Sequence, residues 1–494
     1  MDASEQRARA LDGWRALLGE AQVRDDATTR VALSHDASPG ARQPFALLRP
    51  ASPQEVAGCL QIAARHGQAL HPISRGANWG YGAARPPRTP CAVLSLERLE
   101  AVRRFDAELA WVELEPGVSF DALARFLAAQ PRGLWPPQTG GPGSGSVVGH
   151  ALARGLCSGW VQDPSEQITG LELALADGRV VRTGSVGAMQ GLRRRALGPD
   201  GTQLFFQSSL AVVTAMTLQL QPTPARALPF NFAARRTGPR AARRRAAPLL
   251  QGRLLPLQLQ LFDDVYQLGL AGPSPSPGTA LSEAARRELA ARWGGARWAA
   301  RGAVFGEDAD QLADGWRRLE AVLDGRCERL RALPEQGGRA FAERRQEGLA
   351  LAWWATPRPR APGQSPLDAG CGLSWLACAL PQRGAELRRA LAQLDARLRD
   401  AGLDRPCSLR VADGRSLVLV VPLLFDGRDA EAGARVAALQ RSLRDELAAS
   451  GFPPYRLGVG ERPPSSSRDP SLDEALARAL DPSGALARGI YTEP

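Results

Sequence analysis

A glycine-rich segment that follows a short apolar run constrains this chain more than any other feature of its sequence. Residues Ser74–Gly82 read SRGANWGYG and come directly after Ala69–Ile73. Three glycines beside Asn and Ser allow the backbone to turn sharply and to direct several N–H groups toward one point. Such a turn suits a pyrophosphate, because close approach of a ligand to the backbone needs residues without a Cβ atom. A glycine-rich surface turn is the alternative that this segment alone leaves open.

A second glycine-rich segment favours the ligand-binding interpretation. Residues Thr139–Gly149 read TGGPGSGSVVG, and a loop of this kind can run along a planar ligand and supply N–H groups to it. A disordered linker is the alternative. We reject it because Val147, Val148, Ala151 and Leu152 continue the segment into apolar sequence. Neither segment has the G-x-G-x-x-G dinucleotide spacing, and a chain without lysine has no P-loop.

Composition and pattern divide the chain into three regions, which we predict as residues 1–224, 225–440 and 441–494. In the first, strand-like runs alternate with helices. Ser52 and Glu55 have the spacing of a helix capping box, and Asp177–Gly178 reads as the turn of a hairpin over residues 171–183. The second region opens with an arginine-rich helix and then mixes long helices with strands. The third contains a helix and a loop around Tyr455.

The composition excludes several classes of protein. The 494 residues carry a formal net charge of +11, but all 62 basic residues are arginine, which indicates a bias across the whole sequence rather than selection for phosphate contacts. The densest basic runs, 193–195 and 235–245, lack the interleaved aromatic residues of a base-stacking surface, so we predict no nucleic-acid partner. No apolar run approaches about 20 residues, and the N-terminal residues do not resemble a secretory signal. We therefore predict a cytoplasmic protein with no membrane partner.

The cysteines and histidines agree with this prediction. The seven cysteines include no C-x-x-C pair, which is typical of a reducing compartment. The four histidines include no ligand spacing such as H-E-x-x-H, so we predict no metal centre.

The order of six segments resembles that of the vanillyl-alcohol oxidase/p-cresol methylhydroxylase (PCMH-type) family of FAD-linked enzymes. The segments are SRGANWGYG (74–82), VELEPGVSFDAL (112–123), GGPGSGSVVG (140–149), ITGLELALADGRVVRTG (168–184), LAVVTAMTLQLQPTP (210–224) and LDPSGALARGIY (480–491). The resemblance implies an α+β fold in which two subdomains within residues 1–224 hold FAD. It also implies that residues 225–440 form a cap with an antiparallel sheet flanked by helices, and that residues 441–494 return to close the active site.

The same resemblance assigns the FAD contacts to the two loops and a few positions after them. These residues are Ser74, Arg75, Gly76, Ala77, Asn78, Trp79, Gly80, Gly82, Gly140, Gly141, Ser144, Gly145, Ser146, Val147, Gly149, His150, Gly155 and Ile168.

The phenol-oxidising branch of the family is resembled most closely. Tyr81 lies in the G-Y-G of the first loop, and Tyr455–Arg456 resembles the branch's C-terminal Tyr-Arg pair. The resemblance implies that these three residues bind a substrate phenol and stabilise it as a phenolate, because hydrogen bonds to the charged form and a nearby cation both lower a pKa. Packing of Tyr81 on the flavin edge and a purely structural Tyr455–Arg456 anchor are the alternatives. We also predict that Trp353, Trp354 and Trp375 line an aromatic substrate pocket.

Two departures from the family pattern affect the predicted chemistry. Several members tether FAD through a His or Tyr in the cap, but this chain has no His after His150, so we predict non-covalent FAD and leave open a link through His71, His150 or Cys157. Oxidases of the branch carry an Asp just before the second loop, where this chain reads Gln138–Pro142 without a carboxylate. That absence puts water activation and alcohol oxidation in doubt, although hydride transfer does not need the Asp.

These observations predict an FAD-dependent oxidoreductase that removes a hydride from the benzylic carbon of a 4-substituted phenol through a phenolate and a quinone methide. A 2-hydroxyacid, a sugar or a larger secondary-metabolite intermediate is the alternative substrate. A redox-inactive flavin-binding or scaffold protein is the alternative from another class. The partners expected are a small aromatic or natural-product substrate and oxygen or another carrier as electron acceptor, with a homodimer as a common state in the family.

Overall fold

Three larger β-sheets and the helices packed on them form the part of the chain that the computed structural model describes. That part comprises residues 2–40, 42–157, 164–234, 257–291, 296–324, 327–342, 348–358, 364–411, 415–464, 471–489 and 491. Its helices are α1 (Ala3–Leu18), α2 (Ala27–Ser34), α3 (Pro53–Arg65), α4 (Phe120–Ala128), α5 (Val147–Leu152), α6 (Asp264–Ala271), α7 (Glu283–Ala291), α8 (Ala309–Leu323), α9 (Gly338–Ala342), α10 (Gly384–Asp400), α11 (Ala430–Ala449) and α12 (Ser471–Leu480).

The strands are short in the N-terminal half and long in the middle of the chain. They are β1 (Val23–Arg24), β2 (Leu47–Leu48), β3 (Leu70–Ile73), β4 (Ala92–Ser95), β5 (Val102–Asp106), β6 (Trp111–Leu114), β7 (Leu134–Trp135), β8 (Ile168–Ala174), β9 (Val180–Arg182), β10 (Val212–Gln219), β11 (Gln221–Pro222), β12 (Arg226–Ala234), β13 (Leu257–Asp263), β14 (Trp298–Gly306), β15 (Cys327–Ala332), β16 (Gln336–Gly337), β17 (Cys371–Pro381), β18 (Ser408–Val411) and β19 (Ser416–Asp426).

The first sheet has the order β1-β2-β4-β3 and packs against helices α1 and α3. The predicted capping box of α3 is confirmed, because the Ser52 hydroxyl accepts a hydrogen bond from Glu55 N at 3.1 Å. The Glu55 carboxylate in turn accepts from Ala51 N at 2.7 Å, which satisfies a second N–H group at the start of the helix. Strand β3 leads directly into the first glycine-rich loop. The loop therefore starts from a rigid sheet.

The second sheet is antiparallel, in the order β5-β6-β10-β8-β9. The predicted hairpin is confirmed as β8–β9, with Gly178 at φ +90° in its turn. Helix α4 and the helix α5 that follows the second glycine-rich loop pack on this sheet around Leu123, Val148 and Met216. Both glycine-rich loops thus emerge from packed structure.

Two arginines and two buried glutamates of this second sheet form a network of ion pairs. Arg103 lies 2.7 Å from Glu172, and Arg182 lies 2.7 Å from Glu172 and 3.1 Å from Glu113. Burial acts to raise the pKa of Glu172, but hydrogen bonds from Arg103 and Thr214 and the charges of both arginines outweigh it. The pKa of Glu172 therefore lies below its ordinary value.

The third sheet is antiparallel and has the order β15-β12-β14-β13-β18-β19-β17, with β16 also paired to β12. Helices α8, α10 and α11 cover one face of this sheet, around core residues such as Phe230, Leu394 and Leu419. A sheet flanked by helices agrees with the cap expected for this region, and we call residues 226–449 the cap. The cap opens with strand β12 where the sequence predicted an arginine-rich helix, and the arginine run 235–245 itself lies outside the described residues.

The C-terminal end of the cap lies close to the predicted boundary. The boundary predicted at residue 440 falls inside helix α11, which packs on β17 and β19, so we propose that the cap ends with that helix. The last segment then runs back to the first sheet, where Leu70 N donates to Ala485 O at 2.8 Å and Ala487 N donates to Leu70 O at 2.8 Å.

Among the described residues, no helix is long and apolar enough to span a membrane. The same residues include no group of three or more His, Cys, Asp or Glu side chains placed to hold a metal ion.

Substitution of Glu172 by Gln should destabilise the protein in a pH-dependent way. We expect a loss of about 3 kcal/mol in the free energy of unfolding near neutral pH, because both arginines lose a buried ionic partner. Since the folded-state pKa of Glu172 is depressed, its contribution is present above the ordinary pKa of 4.5 and disappears as the pH falls through the folded-state value. Chemical denaturation at neutral and acid pH measures this difference.

The matched control is Glu100→Gln, which removes the same charge from an exposed side chain. It should change the free energy of unfolding by no more than about 0.5 kcal/mol. An equal loss in both variants, or a loss in Glu172→Gln that persists in acid, would contradict this role of the network.

Candidate functional site

A cavity of about 890 Å³ lies between the two glycine-rich loops, the cap sheet and the C-terminal segment. Its volume is within the range of cofactor and substrate pockets. The described residues that line it include four arginines and no Asp or Glu; the arginines are Arg75, Arg301, Arg410 and Arg456. The cavity therefore presents positive charge to whatever enters it.

Asp36, which does not line the cavity, holds the first glycine-rich loop in place. Its carboxylate accepts hydrogen bonds from Gly80 N at 3.2 Å and Gly82 N at 3.0 Å and pairs with Arg85 at 3.1 Å, and its side chain is fully buried. At Gly82, where φ is +111°, a Cβ atom would lie 2.5 Å from the Cβ of Val459. Gly80 and Gly82, predicted as cofactor contacts, do not line the cavity; their N–H groups bind Asp36 instead.

The rest of this loop does line the cavity. Its lining residues are Ser74, Arg75, Gly76, Ala77, Asn78, Trp79 and Tyr81. Arg75 also joins the two loops, because its guanidinium donates to Ser144 O at 2.7 Å and to Gly117 O at 2.9 Å. The role predicted for Ser144 is therefore corrected: its carbonyl group anchors Arg75, and it does not face the cavity.

The second loop is ordered by backbone hydrogen bonds to the start of α4. Phe120 N donates to Gly145 O at 3.0 Å, and Val147 N donates to Val118 O at 3.1 Å. Seven of the predicted cofactor residues from this part of the chain line the cavity, namely Gly140, Gly141, Gly145, Ser146, Gly149, His150 and Gly155. Val147 and Ile168, also predicted, are buried in the core of the second sheet and do not reach the cavity.

Two glycines allow the walls of the cavity to come close together. A Cβ atom at Gly149 would lie 2.9 Å from the Ser74 hydroxyl oxygen. A Cβ atom at Gly155 would lie 2.3 Å from the His150 ring. Glycine is needed at both positions because a larger side chain would collide with Ser74 or His150. From the sequence alone, this steric requirement looks the same as a requirement for contact with a ligand.

Two buried histidines line the cavity in their neutral form. Burial, with a smaller effect of Arg42, lowers the pKa of His71 to about 4, and burial with the charge of Arg456 lowers that of His150 to about 3. The Nε2 atom of each ring is buried without a hydrogen-bond partner among the described residues. Cys157 is also buried, but it does not line the cavity.

Tyr81 and the consecutive residues Tyr455 and Arg456, which are far from Tyr81 in sequence, come together in the cavity wall. The Arg456 guanidinium lies 4.2 Å from the centroid of the Tyr81 ring and donates a hydrogen bond to the Asn78 side-chain oxygen. Tyr455 lies beside both of them, and its proximity raises the pKa of Tyr81 and of Arg456. Arg456 Nε is buried and has no partner among the described residues, so it can still donate to a ligand.

The surroundings of this cluster favour a neutral Tyr81 and a charged Arg456. Burial, followed by the proximity of Tyr455, raises the pKa of Tyr81 well above its ordinary value. Burial alone would lower the pKa of Arg456, but Tyr455, Tyr81 and Tyr491 together raise it. Tyr491, the last residue of the closing motif, was not predicted as a site residue; its hydroxyl accepts from Leu457 N at 3.3 Å.

The three predicted pocket tryptophans have different positions. Trp375 lines the cavity, stacks on Tyr81 with ring centroids 6.2 Å apart and donates to Trp79 O at 2.9 Å. Trp353 is 2% exposed and packs with Cys371 and its neighbours. Trp354 donates to the Asp404 carboxylate at 3.0 Å. The prediction that Trp353 and Trp354 line the pocket is corrected, because both side chains pack in the cap core.

Comparison with known proteins identifies chains of the same architecture. Residues 44–184 match the family described as FAD binding domain. The chain is 30% identical to 1'-carboxy-chondrochloren decarboxylase of Chondromyces crocatus, over 98% of this chain and 97% of that protein. It is 24% identical to the 4-cresol dehydrogenase [hydroxylating] flavoprotein subunit of Pseudomonas putida, over 97% of this chain and 94% of that protein.

Two solved structures share the fold at low sequence identity. The first is p-cresol methylhydroxylase with substrate bound, with a TM-score of 0.88 and 22% identity over 98% of this chain and 96% of that chain. The second is the 4-ethylphenol oxidase of Gulosibacter chungangensis in complex with isoeugenol, with a TM-score of 0.84 and 23% identity over 99% and 98%. The predicted fold class, a two-subdomain FAD-binding part with an antiparallel cap, is confirmed.

The cavity walls fit FAD. Backbone of both glycine-rich loops lines the cavity, and the positive lining suits a pyrophosphate. The unpaired Nε2 atoms of His71 and His150 are buried polar atoms that a bound polar ligand would satisfy. The loops 74–79 and 140–149 would hold the cofactor, with His71 and His150 beside it.

Replacement of Asp36 by Ala should weaken FAD binding. The change leaves the buried N–H groups of Gly80 and Gly82 and the Arg85 guanidinium without their acceptor, so we expect the affinity for FAD to fall by about tenfold or more. Flavin retained through dialysis and quenching of flavin fluorescence measure this affinity, while circular dichroism verifies the fold. Asp25→Ala, which breaks an exposed pair with Arg15, is the matched control. Unchanged affinity in folded Asp36→Ala would contradict the role given to Asp36.

Proposed function

This chain belongs to the PCMH-type family of FAD-linked oxidoreductases, and within that family we propose that it removes a hydride from the benzylic carbon of a 4-substituted phenol. FAD is its cofactor, and it is an oxidoreductase. The observation that carries the proposal is the convergence of Tyr81, Tyr455 and Arg456 in the wall of a cavity that has no Asp or Glu among its described lining residues. The names of the relatives add support, since two of them act on cresol or an alkylphenol.

The first task of these residues is to bind the substrate's phenol oxygen as an anion. The hydroxyls of Tyr81 and Tyr455 and the unpaired Nε of Arg456 can all donate hydrogen bonds to one oxygen. Hydrogen bonds to a charged group and a nearby cation both lower its pKa, so the substrate phenol loses its proton more readily here than in water. The absence of carboxylates on the described cavity wall removes the repulsion that a phenolate would otherwise meet.

The second task is to direct the electrons of the phenolate. Negative charge on the oxygen moves through the ring to the para position, so a hydride can leave the benzylic carbon and a p-quinone methide remains. Bound FAD supplies the hydride acceptor. Trp375, stacked on Tyr81, and the apolar residues of the cap shield the reacting carbon from water. With FAD bound, oxygen or a separate carrier would have to accept the electrons, and the rate of reoxidation in air distinguishes the two.

The residues before the second loop bear on the fate of the quinone methide. Gln138–Pro142 line the cavity and contain no carboxylate, so no general base of that kind activates water from this position. A second candidate reaction is therefore loss of carbon dioxide, which needs no activated water. The 30% identical relative is named a decarboxylase, and a cavity lined by four arginines favours an anionic substrate.

That second reaction balances without a further reagent. If the carbon next to the benzylic carbon carries a carboxylate, the electron pair of its C–COO⁻ bond moves toward the quinone methide. Carbon dioxide leaves, a carbon–carbon double bond forms in the side chain, and the ring returns to a phenolate. The two electrons removed as hydride remain with the cofactor, so both candidate reactions share the same first step.

Anaerobic titration of the purified protein with phenols tests the first step. We expect 4-ethylphenol to bleach the visible flavin band, because its phenolate donates electrons through the ring. Its O-methyl ether, 4-ethylanisole, should leave the band intact, since it cannot form a phenolate. Bleaching by both compounds, or by neither, would contradict the proposed function.

Substitution of Tyr455 by Phe tests the phenolate site. It removes one hydrogen bond to the anion, so we expect flavin reduction to slow by about tenfold to a hundredfold while FAD binding changes little. Stopped-flow reduction and flavin retention give the two readouts. Tyr491→Phe is the matched control, because its hydroxyl already bonds to the Leu457 backbone. A wild-type reduction rate in Tyr455→Phe would remove the assignment.

A further inference from the structure

A row of polar side chains crosses the cavity face of the cap sheet. In the strand register Asn231 pairs with Arg301, Arg301 with Gln260, and Gln260 with Arg410. Residues paired across neighbouring strands point to the same face of a sheet. All four line the cavity, and with strands about 4.8 Å apart the two arginines flank Gln260. We call these four residues the cap row.

Neither arginine of the cap row has a carboxylate within ion-pair distance in the part of the chain that the structure describes. Arg301 lies 4.6 Å from the centroid of the Phe262 ring, and the Tyr266 hydroxyl lies near both guanidinium groups. Burial lowers the pKa of both arginines, although a guanidinium remains protonated in proteins. Two positive charges thus face the cavity without a carboxylate partner in the described part of the chain.

Three other arginines of the cap, in contrast to Arg301 and Arg410, pair with carboxylates. Arg286 pairs with Asp264, Arg405 with Asp395 at 2.5 Å, and Arg358 with Asp426 at 2.7 Å. A buried or partly buried charge without a partner is costly. These three arginines have a carboxylate partner, whereas Arg301 and Arg410 have none among the residues that the structure describes.

The cap row is close to the phenol-binding residues. Tyr455 lines the same cavity as Arg410, Tyr81 and Arg456 and is close enough to influence the pKa of all three. Tyr455 is therefore common to both groups, and one substrate molecule can contact both. Planar guanidinium groups bind carboxylates with two parallel hydrogen bonds, and Gln260 lies between them on the middle strand.

We propose that the cap row is an anion subsite and that the substrate is a 4-substituted phenol whose side chain carries a carboxylate. This inference rests on the proposed function, because it assigns the phenol end of the same molecule to Tyr81, Tyr455 and Arg456. The carboxylate is bound by Arg301 and Arg410. Bound FAD would bring a second kind of anion, its phosphates, and the experiment separates the two sources.

Binding of three matched ligands to the flavin-loaded protein tests the proposal. They are 3-(4-hydroxyphenyl)propanoate, its primary amide and 4-ethylphenol. Their dissociation constants are measured by anaerobic calorimetry after the flavin has been chemically reduced, so that no ligand is oxidised during the titration. The amide keeps the shape of the acid and removes its charge. We expect the acid to bind the wild-type protein at least about tenfold more tightly than the amide, since hydrogen bonds to charged groups are the stronger ones.

The variant Arg410→Gln should abolish this preference while leaving the dissociation constants of the amide and of 4-ethylphenol within about twofold to threefold. Arg410→Lys, which keeps the charge and loses the planar fork, should restore part of it. The control Arg399→Gln removes an exposed arginine from helix α10, on the other face of the cap sheet, and should keep the full preference.

Each of the other possible results either supports or overturns the anion subsite. Equal binding of acid and amide by the wild-type protein overturns the subsite, whether or not phenols reduce the flavin. Loss of FAD from Arg410→Gln assigns the arginine to the cofactor and also overturns it. If no phenol reduces the flavin but 3-phenylpropanoate, which lacks the hydroxyl, still binds in an Arg410-dependent way, the subsite stands and the proposed function fails.

Discussion

The buried carboxylate of Asp36 is the contact on which the geometry of the site depends. It binds the N–H groups of Gly80 and Gly82, the two neighbours of Tyr81, and pairs with Arg85. The Tyr81 carbonyl in turn accepts from Val459 N at 2.7 Å, which connects this loop to the segment that carries Tyr455 and Arg456. These hydrogen bonds hold the loop in the conformation that places the Tyr81 ring 4.2 Å from the Arg456 guanidinium. One carboxylate outside the cavity therefore positions residues inside it.

The distribution of charge explains what the cavity can hold. Buried carboxylates lie behind the first loop at Asp36, in the second sheet at Glu113 and in the cap core at Asp264, and no Asp or Glu of the described chain lines the cavity. Burial keeps His71 and His150 neutral, so the arginines dominate the electrostatic potential. Such a cavity stabilises anions in general. A dinucleotide with two phosphates, a phenolate and a carboxylate are all favoured in it for the same reason.

Sequence reasoning succeeded where the requirement was local. The capping box at Ser52, the Asp177–Gly178 hairpin and the two glycine-rich loops depend on residues a few positions apart, and each was found. The family resemblance predicted that Tyr81 lies in the same site as the Tyr455–Arg456 pair, although hundreds of residues separate Tyr81 from that pair. It did not distinguish glycines that face a ligand from those, such as Gly82, that make room for another part of the chain. Trp353 and Trp354 were misplaced because an apolar run does not show which of its side chains face a cavity.

The sequence by itself determined the family, the cofactor and the order of the elements, because turns, caps and strand alternation are set by neighbouring residues and by the need for glycine where backbones approach closely. Only the tertiary structure decided which charges are paired. Asp36 meets its loop across more than 40 residues, and Arg301, Gln260 and Arg410 become neighbours only through strand register. Whether an arginine is neutralised by an aspartate or left for a ligand depends on which side chains the folded sheets bring within hydrogen-bond distance, and no local pattern in the chain contains that information.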